Sequence, residues 1–99
     1  MRIVHKEKLT GTAASGTFAV NTSARLHGLL YNIIVKPTTT TNTYNIKIVD
    51  NDDMTIWERI SETGAFSEQV RLPMRDAHTL TVSSATIDEA FIIVLKFIE

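Results

Sequence analysis

No cysteine occurs in the chain. Its absence excludes disulfides, thiolate-ligated zinc and cysteine nucleophiles together; it fits a reducing compartment and equally a cysteine-free protein outside cells. There is no excess of either charge, because 10 Lys and Arg stand against 11 Asp and Glu, a formal net charge of −1. So balanced a chain has no general electrostatic pull toward nucleic acid or anionic lipid, and neither is expected as a partner. No apolar run approaches the ~18 residues of a membrane helix. The longest such tract, Ala90–Leu95, has the length of a strand. Residues 1–8 alternate charged and apolar types and lack the continuous apolar segment of a signal peptide, so synthesis in the cytoplasm is expected. Only four glycines are present and none are adjacent, which leaves no phosphate-cradling loop.

What the chain does contain is Ile, Val and Thr in short alternating runs. Their branched β-carbons suit a pleated sheet better than a helix. Tyr44, Ile46 and Ile48 point one way while Asn45 and Lys47 point the other. Val70 and Leu72 flank Arg71, and Leu80 and Val82 alternate with Thr79, Thr81 and Ser83. Period two marks a strand with one buried face. Between the runs lie turn signals at Thr10-Gly11-Thr12, Ala14-Ser15-Gly16, Lys36-Pro37, Asp50–Asp53, Thr63-Gly64-Ala65 and Leu72-Pro73. The pattern predicts about eight strands, near 2–9, 16–20, 25–35, 43–50, 54–60, 68–72, 79–83 and 90–98, with a turn of helix around Ile87–Glu89 as an option. The expected fold is a single all-β domain over residues 1–99, an antiparallel two-sheet sandwich of jelly-roll or Ig-like type.

Two of these strands are apolar on both faces. Residues 29–35 alternate Leu29, Tyr31, Ile33 and Val35 with Leu30, Asn32 and Ile34, and residues 90–98 alternate Phe91, Ile93, Leu95 and Phe97 with Ala90, Ile92, Val94 and Ile98. The outer face of a sandwich normally meets water and reads polar, so something must cover the second side. Internal cover and a subunit interface are both open. Under the interface reading Leu29, Tyr31, Ile33, Val35, Phe91, Ile93, Leu95 and Phe97 are the candidate contact set, and a dimer or trimer would result.

Chemistry is sparse. His5, His27 and His78 form no short-spaced cluster with other ligand types, so no metal site is expected. Asp76, His78, Ser83 and Ser84 could be drawn as a catalytic triad, but no nucleophile-elbow motif accompanies them and a polar loop explains the same residues. Asp50–Asp53 offers oxygen ligands of the kind calcium accepts. Thr55 and Ser61 stand where an EF-hand loop needs Gly and Glu, so the segment reads as an acidic turn. Glu58, Glu62 and Glu68 show no paired-carboxylate arrangement. Trp57 is either core or an exposed platform, depending on whether Ile56 and Ile60 face inward; exposed, it would join Tyr44 or Tyr31 as a carbohydrate-stacking surface or interface anchor. The run Thr38–Thr43 reads as a solvated loop whose hydroxyls could also bond a glycan.

The order of elements resembles the small β-sandwich accessory proteins of tailed bacteriophage particles, of the head-decoration or cement type. The resemblance runs over residues 25–98. A strand from Arg25 to Pro37 leads into the Thr-rich loop, then Tyr44–Asp50, the acidic turn, Thr55–Glu58, a Gly-containing connection, Val70–Pro73 and a closing apolar strand. It implies a non-catalytic protein without cofactor, made in the cytoplasm, that binds a capsid or tail surface in the virion, as a homo-oligomer or on a different protein. The alternative from another class is a carbohydrate-binding module using exposed aromatics.

Overall fold

A pleated strand sends successive side chains to opposite faces, so each apolar alternation needs one covered surface. In the computed structural model, which describes residues 4–22, 27–39, 41–75 and 77–98, two antiparallel four-stranded sheets cover one another. The strands are β1 (Val4–Ala13), β2 (Phe18–Asn21), β3 (His27–Pro37), β4 (Thr43–Val49), β5 (Thr55–Thr63), β6 (Phe66–Arg75), β7 (Thr79–Ser83) and β8 (Glu89–Ile98). One sheet runs β1-β8-β3-β6 and the other β2-β7-β4-β5. The pairings β1 with β8, β2 with β7, β3 with β6 and β4 with β5 are nested, as in one long hairpin rolled over on itself. That nesting makes the sandwich a jelly roll rather than Ig-like.

All eight expected strands are present, although those placed at 2–9 and 25–35 begin outside the described residues. Two expected breaks are instead strand interior. At Gly11 an added Cβ would lie 2.3 Å from the Phe18 ring, so glycine is there to admit that ring and β1 continues to Ala13. β6 runs through Pro73 because it is an edge strand, where a residue without an N–H can face away from the ladder. Residues 87–88 form a turn, not a helix, with Asp88 in the left-handed region at φ 66°.

The core lies between the sheets. Leu30, Ile33, Val35, Phe91, Ile93, Leu95 and Phe97 meet Tyr44, Ile46, Ile48, Leu80 and Val82. Six residues of the candidate contact set, Ile33, Val35, Phe91, Ile93, Leu95 and Phe97, are therefore interior to this chain and form no surface. The large rings at 91 and 97 take the inner side because the gap between sheets is where a ring buries most area. Phe91 packs edge-on to Tyr44 at 5.0 Å between centroids and tilted against Phe18 at 5.6 Å.

Leu29 and Tyr31 escape this fate through a bulge. The register of β3 shifts between Leu30 and Asn32 against both neighbours. One extra residue inverts the parity of everything before it. Leu30 thus turns inward, and Leu29 pairs with Ile98 and Pro73 on the outside.

Candidate functional site

On β8 every second residue from Glu89 to Phe97 is buried, which sends Ala90, Ile92, Val94, Lys96 and Ile98 outward. The neighbouring β3 places Leu29, Asn32, Ile34 and Lys36 on the same side, opposite Ile98, Lys96, Val94 and Ile92. These are the two central strands of their sheet. The result is an aliphatic band of Leu29, Ile98, Ile34, Val94 and Ile92, half-buried by flanking side chains except at Ile92, which is 39% exposed. β1 borders the band with Lys6, Lys8, Thr10 and Thr12, and β6 with Ser67, Gln69, Arg71 and Pro73. At the β3 bulge the band opens into a hollow of about 710 Å³ lined by Leu29, Tyr31, Gln69, Val70, Arg71 and Ile98. Parity counting already groups Ala90, Ile92, Val94 and Ile98 on one side of β8; the bulge decides which residues of β3 join them.

The candidate aromatic platform is not assembled. Tyr44 is buried in the core, where its hydroxyl donates to the Gly64 carbonyl at 2.6 Å. Burial pushes this phenol up to about 12, with the nearby Glu62 charge adding to the effect. Trp57 is half-buried on β5, opposite Ile48. Its indole N–H donates to Glu68 at 2.5 Å and its ring stacks on Phe66 at 6.3 Å. Arg59 lies over the other partner, 5.5 Å from the Phe66 ring centre, and pairs with Glu68 at 3.1 Å and Glu62 at 3.4 Å. This group closes the edge of the sandwich where β5 passes over to β6. Ile60, expected to share a face with Ile56, is 67% exposed on the other side of the strand, which is bulged near both residues.

Several of the remaining sequence candidates are tied into the structure. His78 is buried, its backbone N–H donating to the Thr22 hydroxyl at 2.8 Å and its carbonyl accepting the Thr22 N–H at 2.8 Å. Asp76 lies outside the described residues, and Ser83 sits opposite Asn45 in the β7–β4 ladder. In the acidic turn, Asp50 Oδ1 accepts the backbone N–H groups of Asp52 and Met54, each at 2.9 Å, so that oxygen serves the turn itself. His5 and His27 lie on β1 and β3. The Thr-rich loop, of which Thr40 lies outside the described residues, is held at its base by Glu89. That carboxylate accepts the Thr38 hydroxyl, the Thr39 backbone N–H at 3.0 Å and the Asn42 side-chain amide at 2.8 Å.

No family model matches the chain, and no curated protein matches it. Solved structures do share its shape. A chain of the Bacillus endospore appendages, described as a novel family of disulfide-linked pili, aligns with a TM-score of 0.55 at 18% identity, covering 97% of this chain and 87% of its own. PliG of Aeromonas hydrophila, a periplasmic inhibitor of g-type lysozyme, gives 0.48 at 13% identity over 97% and 86%. The carbohydrate-binding module CBM36, solved with calcium and xylotriose, gives 0.45 at 4% identity over 100% and 99%. At 18% identity the likeness to the appendage chain is one of fold alone.

Proposed function

We propose that the chain is a non-catalytic structural subunit that assembles with further copies of itself through the outer face of the β1-β8-β3-β6 sheet. One observation carries the reading: the two central strands of that sheet present Leu29, Ile34, Ile92, Val94 and Ile98 away from the core. Outward positions of a two-layer sandwich ordinarily read polar, and an aliphatic band there gains about 25 cal/mol for each Å² removed from water. The pilus-forming neighbour supports assembly as one use of this fold. With no cysteine in the chain, contacts between copies of it do not rest on disulfides. In its finer form, supported by the sequence pattern over residues 25–98, the assembly is a phage particle. The subunit is then made in the cytoplasm and coats a capsid or tail.

The test is the double variant Ile92→Thr/Val94→Thr, which keeps the β-branched shape while removing the aliphatic surface. Its association constant, from light scattering over a concentration series, should fall by about tenfold or more, equivalent to ~1.4 kcal/mol. Unchanged association with an intact circular dichroism spectrum would end the proposal.

A further inference from the structure

The same face carries a second signature. Lys6 and Lys8 on β1, Lys36 on β3, Arg71 on β6 and Lys96 on β8 occupy outward positions, and Lys6 stands directly opposite Lys96. No described carboxylate takes an outward position on these four strands, and among the described residues no ion pair joins any of the five to an acid. Half of the chain's 10 cations therefore lie on one aliphatic face. Like charges facing one another across a ladder are unfavourable, so the face is an attractor for negative charge. It is also a poor partner for itself, because packing two copies face to face would set the five cations against the same five.

The complementary surface belongs to the other sheet. The turn between β4 and β5 carries Asp50, Asp52 and Asp53, followed by Met54, which is 64% exposed. Asp50 is committed to the turn by its two backbone hydrogen bonds. Asp52, Asp53 and Met54 are left exposed at the tip, an apolar knob beside two carboxylates. The hollow on the face offers matching features: Leu29, Tyr31 and Ile98 line it together with Gln69 and Arg71, which sets apolar side chains beside a cation.

Resting on the docking-face reading above, we infer that the occupant of this face is the β4–β5 hairpin tip of a second copy. Met54 seats in the hollow, and Asp52 and Asp53 meet Arg71 and Lys96. The two patches are different surfaces, so the contact is heterologous and runs head to tail, closing as a ring or continuing as a filament.

A charge swap tests it. In one variant the face is reversed, Arg71→Glu/Lys96→Glu. In the other the tip is changed, Asp52→Lys/Asp53→Asn; asparagine at 53 tolerates the left-handed backbone found there, φ 61°. Each variant alone should associate at least about tenfold more weakly than the wild type, and raising salt from about 0.05 M to about 0.5 M should weaken the wild type similarly. Mixing the two variants should restore association, since each supplies the charge the other lacks. If the tip variant associates like the wild type while Ile92→Thr/Val94→Thr does not, the face docks on some other surface; the inference falls and the functional reading stands. If the wild type is monomeric throughout, or the aliphatic variant associates unchanged, both fall.

Discussion

The carboxylate of Glu89 accepts the side-chain amide of Asn42 at 2.8 Å, joining residues 47 positions apart in the chain. With the Thr38 hydroxyl and the Thr39 N–H on its other oxygen, Glu89 fixes the base of the β3–β4 loop to the start of β8. It is only 5% exposed.

These bonds set a pH dependence. The Thr38 hydrogen bond first, then that from Asn42, hold the Glu89 carboxyl below its ordinary range, and burial opposes them in part. A carboxyl depressed in the folded state stabilises above its unfolded pKa, near 4.3, and that contribution is lost as pH falls through the folded value. Glu89→Gln should cost about 1–3 kcal/mol at neutral pH, since an amide cannot accept all three donors. The difference from wild type should shrink on acidification below about pH 4. Urea unfolding at neutral and acid pH measures both, and hydrogen exchange of Thr39 reports the loop directly.

At the alkaline end Tyr44 sets a second pH dependence. Its phenol is raised in the folded protein, so between pH 10 and about 12 the unfolded chain gives up its proton first. Stability should fall as pH rises through that window, by up to about 1.4 kcal/mol per pH unit from this group. Tyr44→Phe should lose about 1 kcal/mol at neutral pH with the bond to Gly64, and should show a shallower alkaline decline. Denaturant midpoints across the window compare the two.

Gly11 and Phe18 form a lock of a different sort. Any Cβ at position 11 collides with the Phe18 ring at 2.3 Å, and that ring is itself packed on Phe91. Gly11→Ala should destabilise by about 1–3 kcal/mol. Adding Phe18→Leu should recover part of the loss, a positive coupling visible in a double-mutant cycle.

Much of this architecture is legible in the residues. The alternations at Tyr44–Ile48 and Leu80–Val82 place their strands, and the Asp50–Asp53 turn is where its side-chain chemistry puts it. What the pattern hides is parity and partnership. The bulge at Tyr31 adds one residue that no propensity marks, so Leu29 and Ile33 look alike in sequence and face opposite ways. Gly11 reads as a turn because its reason, a ring seven positions on, is tertiary. Trp57 could be assigned to neither side by spacing, since β5 is bulged on both flanks of it. The cationic band is invisible to a net charge of −1; it appears only when four non-consecutive strands come together.

Molar mass in solution, by size-exclusion chromatography with light scattering from about 10 µM to about 1 mM, tests the docking face most directly. A mass that climbs with concentration above the 11.1 kDa of one chain is the predicted result, with the climb suppressed in Ile92→Thr/Val94→Thr. A constant 11.1 kDa at every concentration would contradict it.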